Sequence, residues 1–244
     1  KGQLVSFNGG TKDNAIPREC EASLIYESDE EAAKAEELAC ELAETYAEEL
    51  TPAEPDFSCE ISCETNRTAE AIPQDAAKEF ICAMRLAPNG IQKRNIKMDG
   101  FVVVSLNLGV VRTEEDRIVM IFSPRSSVAS LQEDTKERLN TLAETFGFTV
   151  SHSSEYPGWS FKEDSPVREI CKESYKELFG EDLKIEAIHA GLECGLFSDA
   201  IKGLDAIAIG PTIANCHTPD EYLTLDSFER FYEFLKDILS RLAK

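Results

Sequence analysis

The segment Leu204–Ile209, within LDAIAIG, constrains most strongly what this chain can fold into. Its apolar character suits a buried parallel strand covered on both faces, and such a strand demands a sheet around it. In open sheets of that kind ligands gather in the crevice beyond the carboxyl ends of the strands. His217, in NCHTPDE at 215–221, falls just past that end. Imidazole is the commonest metal ligand among side chains, so His217 is the candidate metal ligand, with a solvated or capping histidine as the plain alternative. Upstream, HAGLECG at 189–195 forms a glycine-bearing loop after a predicted strand at Lys184–Ile188. His189 opens that loop and reads as a strand-end histidine satisfied by its neighbours.

Residues 1–150 read as an internal repeat. The first unit runs strand Gln3–Asn8, strand Glu21–Tyr26, helix Asp29–Leu50 and strand Asp56–Glu64. After a connecting helix near Pro73–Leu86, the second runs strand Phe101–Val111, strand Ile118–Phe122, helix Ser127–Phe146 and strand Thr149–Ser153. Ser28 or Asp29 caps the first long helix, whose acidic first turn suits the helix dipole. Ser126 or Ser127 caps the second, which stops at Gly147. Helices of this kind pack on one face of an antiparallel sheet, which predicts a two-layer α+β domain over 1–153, a duplicated strand-strand-helix-strand.

The composition changes at SEYPGWSFKEDS, which holds the chain's single tryptophan, Trp159, and reads as a hinge. From 154 to 244 the pattern is helix Pro166–Phe179, the HAGLECG loop, a short helix near Gly195–Ile201, the strand within Leu204–Ile209 and a last helix Leu225–Leu242. Alternating helix and strand predicts the C-terminal part of an α/β domain with a parallel sheet. Two strands do not make a stable sheet alone, so this portion expects neighbours from elsewhere.

With 46 acidic against 25 basic residues and a net charge of −21, the chain lacks the positive stripe that a phosphate backbone requires. Nucleic acid and acidic membrane surfaces are therefore excluded as expected partners. The eight cysteines include no Cys-x-x-Cys pair. Buried free thiols in a reducing cytoplasm are the expectation, with Cys59 and Cys63 on one face of a strand.

The stretches SEYPGWSFKEDSPVREICKESYKELFG, IEAIHAGLECGLFSDAIKGLDAIAIGP and NCHTPDEYLTLDSFERFYEFLKDIL resemble the C-terminal region of the aminoacyl-histidine dipeptidases. These are co-catalytic zinc enzymes of the wider carnosinase and aminoacylase group. FNGGTKDNAIPRECEA, SLNLGVV and SPRSSVASL resemble the lid domain of the same family. The resemblance implies a lid at 1–153 and the last part of the catalytic domain at 154–244. It implies hydrolysis of Xaa-His and other dipeptides with two divalent metals, zinc first and manganese or cobalt as alternatives.

By motif, His217 matches a metal ligand, and Asn14, Arg125 and Gly191 match substrate-binding positions. Asn14 would reach a substrate or transition-state oxygen, Arg125 would fork onto the free C-terminal carboxylate, and Gly191 would let the backbone approach the substrate. Glu193 is a further candidate, for a substrate amine. From the residues alone, KDNA is a turn whose Asn tolerates a left-handed conformation, Arg125 a surface arginine before a cap, and Asp220 and Glu221 a helix cap with first-turn acids.

The family's His-x-Asp motif and bridging aspartate find no match here, and no Glu-Glu pair of this chain sits in a matching strand-end context. The expectation is a chain that corresponds to the second half of the enzyme and is inactive alone. A dipeptide is the expected partner, and lid domains of the family bring in a homodimer, although a repeat within one chain can imitate one. A related aminopeptidase or acyl-amino-acid hydrolase is the rival within hydrolases, and a non-catalytic assembly module is the rival outside them.

Overall fold

The computed structural model describes residues 2–65, 68–96, 100–153, 157–159, 161–186, 193–216 and 220–243. Its elements run β1 (Gln3–Gly9), β2 (Cys20–Ile25), α1 (Asp29–Leu50), α2 (Gln74–Leu86), β3 (Gly90–Asn95), β4 (Phe101–Thr113), β5 (Ile118–Ser126), α3 (Ala129–Thr145), α4 (Pro166–Phe179), α5 (Glu193–Ala200), β6 (Ile213–Ala214), β7 (Tyr222–Leu223) and α6 (Leu225–Leu242). One sheet has the order β2-β1-β4-β3, with β5 also on β4, and β6 and β7 make a separate antiparallel pair. The chain divides into two compact units: 1–90, 106–124 and 137–150 in the first, and 91–105, 125–136 and 151–244 in the second.

In the first unit, β1 and β2 form an antiparallel hairpin from Gln3↔Ile25 to Gly9↔Cys20, and Gly9 also pairs with Val111 of β4. Leu4, Ala77, Phe80 and Val111 are its buried core, with Phe7, Met84, Ile118 and Met120 packed against them. Ala77, Phe80 and Ala83 recur at helical spacing, so α2 lays one apolar face inward. The Phe80 ring meets Phe7 edge-on at 5.4 Å. Pro73 precedes α2, where its missing N–H withdraws no helical bond. Ser28 caps α1 by accepting from the Glu31 N–H at 3.3 Å, and Asp29, Glu30 and Glu31 fill the first turn.

In the second unit, α4 packs on α6 through Cys171, Phe234 and Ile238. Tyr175 stands between the rings of Phe179 at 4.8 Å and Phe234 at 5.3 Å, and Arg230 lies over Phe179 at 4.4 Å. Ser165 caps α4 by accepting from the Arg168 N–H, and Gly180, at φ 72, ends it in the left-handed conformation that lacks a Cβ penalty. Asp205 reaches the N-terminus of α4 from far along the chain: its Oδ2 accepts from the Val167 N–H at 3.0 Å. Burial pushes its carboxyl pKa up, but the bonds from Val167 and Ser165, with the charges of Lys162 and Arg168, outweigh that and leave it below the ordinary aspartate value.

A lowered carboxylate pKa adds stability above the unfolded-state value, and that stability is lost as pH falls through the folded-state value. Asp205→Ala is therefore expected to cost about 1–2 kcal/mol at pH 7 in chemical denaturation. The gap to wild type should shrink as pH falls below about 4. A gap that persists unchanged at low pH would show that the charge at Asp205 contributes nothing.

The predicted repeat is met in its first three elements, β1-β2-α1 and β4-β5-α3. Its closing strands are not: 56–64 and 149–153 form no strand, nor do 184–186 and 206–209. Apolar alternation suits residues to a strand, but a strand exists only beside another hydrogen-bonding edge. The short strands β3, β6 and β7 carry little periodicity and were not predicted. Among the described residues no helix is long and apolar enough to cross a membrane.

All eight cysteines are free, but only Cys171 is buried, while Cys20, Cys40, Cys59, Cys63 and Cys216 are exposed, correcting the expectation of buried thiols. With no strand at 56–64, Cys59 and Cys63 have no sheet face to share. A bond to Glu36 raises the Cys63 thiol pKa, which disfavours the thiolate a metal would need.

Candidate functional site

The ten residues between β1 and β2 form a loop laid on β4. Its neck closes where the Gly10 N–H donates to the Glu19 carbonyl at 3.2 Å, and the Ala15 N–H donates to the Lys12 carbonyl at 3.3 Å around Asp13 and Asn14. Asn107 of β4 donates both of its amide protons to the backbone on either side of Asn14, to the carbonyls of Asp13 and Ala15, each at 2.8 Å. Gly109 lies two residues on, and a Cβ there would stand 2.3 Å from the Asp13 carbonyl oxygen. Gly10, at φ 69, is similarly close to Gly109. The turn that presents Asn14 is thus fixed by its backbone, leaving the exposed Asn14 side chain outside the clamp.

The turn expected at KDNA is present, but the left-handed Asn is not. Asn215, at φ 54, is the single non-glycine residue with positive φ among the described residues. Conformational tolerance therefore does not explain an asparagine at position 14. Asn107 was not singled out from the sequence. Its signal there is only an amide inside an otherwise apolar strand, SLNLGVV.

Arg125 is exposed at the end of β5. The turn after it is held by the Ser126 hydroxyl, which accepts from the Val128 N–H at 3.0 Å and donates to the Val128 carbonyl at 2.9 Å. The Ser127 N–H donates to the Val103 carbonyl at 3.3 Å. The Val128 carbonyl takes the first bonds of α3, from Leu131 and Gln132, so Val128 occupies the cap position predicted for Ser126 or Ser127.

Glu193 is the exposed first residue of α5, where the helix dipole favours an acid. α5 begins two residues earlier than predicted. Next to it, the Cys194 Sγ lies 3.9 Å from the Ile207 carbonyl. Arg125 and Glu193 both belong to the second unit, and Asn14 belongs to the first.

Gly191 and His217, with His189, lie outside the described residues. The hairpin β6–β7, paired at Ile213↔Leu223 and Ala214↔Tyr222, flanks the stretch that contains His217. Within that stretch Asn215 donates to the Asp220 carbonyl at 3.3 Å. Thr224 occupies the cap of α6, so Asp220 and Glu221 lie before β7 rather than in a helical first turn, correcting that alternative. Among the described residues no three His, Cys, Asp or Glu side chains converge, so these residues do not by themselves assemble a metal centre.

Residues 11–241 match the model of peptidase family M20/M25/M40. The chain belongs to this family. The M20 chain is 32% identical to the cytosol non-specific dipeptidase of Escherichia coli (strain K12), over 98% of its own length and 49% of that protein. It superposes on the aminoacylhistidine dipeptidase of Vibrio alginolyticus with a TM-score of 0.84 at 32% identity, again over 98% of its length and 49% of that chain. The aminopeptidase PepT of Bacillus cereus ATCC 10987, at TM-score 0.54 and 19% identity over 69% of this chain and 45% of that one, shares the fold. The M20 chain therefore spans about half the length of the relatives it matches.

Proposed function

We propose that residues 1–153 are the substrate-clamping lid, and residues 154–244 the last part of the catalytic domain, of a metal-dependent dipeptidase acting in the cytoplasm on Xaa-His and other dipeptides. Family membership and similarity to two dipeptidases support this reading. The observation that carries it is the clamp of Asn107 and Gly109 on the backbone around Asn14. A donor held in place before the reaction stabilises a developing oxyanion without reorganising as charge appears. Asn14 would be that donor, Arg125 the fork on the substrate carboxylate, Glu193 a partner for its amine, and Gly191 a point of close backbone approach.

The reading calls for two divalent ions, with zinc expected, which polarise the peptide carbonyl and acidify a water. His217 is the one ligand this chain would offer, and the remaining ligands and the general base would come from the other half of the enzyme. A related aminopeptidase would share this arrangement.

With a histidine-terminated dipeptide and added zinc or manganese, the chain alone is expected to show no turnover. In the complete enzyme Asn14→Ala is expected to lower kcat about 10²-fold with little change in KM, as for loss of one oxyanion donor. Full-rate turnover by the 244-residue chain would overturn the division of labour, and an unchanged kcat in the Asn14 variant would remove the loop from the site.

The lid reading also includes a homodimer. It is supported by α1, which buries no residue and exposes Leu38, Leu42 and Tyr46 at four-residue spacing on one stripe. A purely monomeric mass in sedimentation equilibrium at micromolar concentration would sink it.

A further inference from the structure

Two glycines of the second unit mark close approaches of the short segment Pro157–Trp159: Gly158, within it, meets the turn after Arg125, and Gly195 of α5 meets the segment itself. A Cβ at Gly158 would lie 2.7 Å from the Ser126 carbonyl oxygen, 2.8 Å from the Ser127 carbonyl carbon and 3.0 Å from its oxygen. A Cβ at Gly195, the buried residue of α5, would lie 2.7 Å from the Pro157 carbonyl oxygen and 3.6 Å from the Trp159 Cβ. Neither glycine has the positive φ that would by itself call for glycine, so close approach is what these positions require. The atoms approached are backbone and cannot swing aside as a long side chain would. The turn at Ser126 and Ser127 is already tied to Val128 and Val103, so a push on it moves the turn as a body and carries the adjoining Arg125 along.

We propose that Gly158 and Gly195 are positioning residues for substrate binding, setting where Arg125 stands relative to the first turn of α5, which carries Glu193. The inference rests on the reading of Arg125 as the carboxylate fork. A fork is useful only at one spacing and orientation, so displacement by a fraction of an ångström weakens it while leaving the reacting groups untouched. The expected signature in the complete enzyme is a KM effect: Gly158→Ala raises KM for a dipeptide with a free C-terminal carboxylate about 10-fold, with kcat nearly unchanged. The same dipeptide amidated at its C-terminus should show no such rise. Gly195→Ala, which meets one carbonyl oxygen rather than a whole peptide group, should act in the same direction more weakly. Gly210→Ala, whose Cβ would enter open space, is the control for adding a methyl group alone.

The deciding measurement is a double-mutant cycle with Arg125→Ala. If Gly158 acts through Arg125, Gly158→Ala adds no further loss in the Arg125→Ala background. Multiplying losses, or equal losses with the amidated substrate, would show that Gly158 serves only the general architecture and would overturn the proposal. An Arg125→Ala variant indistinguishable from wild type would instead sink the reading of Arg125 and take the positioning role with it. If Gly158→Ala does not fold, the same cycle run with Gly195→Ala decides between these outcomes.

Discussion

In the complete enzyme, Arg125→Ala is expected to keep its full complement of metal while kcat/KM for a free-carboxylate dipeptide falls by roughly 10²-fold or more. Arg125 stands exposed at the end of β5, ahead of a turn fixed through Ser126, so its guanidinium is carried by rigid backbone but is not consumed by a structural bond of that turn. Loss of a group of this kind removes orientation rather than the reacting machinery. Arg125→Lys should recover little, because an ammonium cannot copy the planar two-pronged donor. The control is the C-terminally amidated dipeptide: wild type should handle it poorly, and the variant should no longer distinguish the two substrates. A retained preference for the free carboxylate would return Arg125 to the role of a surface arginine before a helix.

Gly109→Ala is expected to have an effect of similar size by another route. The added Cβ would stand 2.3 Å from the Asp13 carbonyl oxygen and 2.6 Å from the Asp13 carbonyl carbon and Cα, so the loop must rise by something approaching an ångström. That displacement breaks the two bonds from Asn107 and moves Asn14 away from where it is held. Misplacement on this scale costs about 10²-fold in rate, and overpacking of this kind costs roughly 1–3 kcal/mol of stability. Kinetics separate the two variants: Gly109→Ala should depress kcat for free and amidated substrates alike, whereas Arg125→Ala acts only where a carboxylate is present. Unaltered kinetics in a Gly109→Ala protein with lowered thermal stability would place the Asn14 loop outside the site.

Local chemistry made the helices legible. Ser28 before three acids, Pro166 after Ser165, and Gly180 after Phe179 are start and stop signals whose energetics lie within a few neighbouring residues, and α1, α4 and α6 begin and end where they were predicted. The strands β1, β2, β4 and β5 were legible for a related reason, since the alternation that marks a strand lies within a few neighbouring residues. The candidate residues Asn14, Arg125 and Glu193 were found through the motifs that contain them, while Gly191 and His217 lie outside the described residues.

What the sequence determined by itself was the set of amphipathic helices, the β-β-α repeat, the acidic surface and the family. What only the tertiary structure decided was whatever needs a partner far along the chain. The segments at 56–64, 149–153 and 206–209 have strand-like residues and yet form no strand, because a ladder requires an edge to pair with and that edge is not a local property. Asp205 caps a helix 38 residues earlier, and Asn107 grips a turn more than ninety residues away. Neither pairing leaves a periodicity in the sequence, because one hydrogen bond between distant residues depends on how the whole chain closes, whereas a cap or an apolar stripe depends only on the turn of helix that carries it.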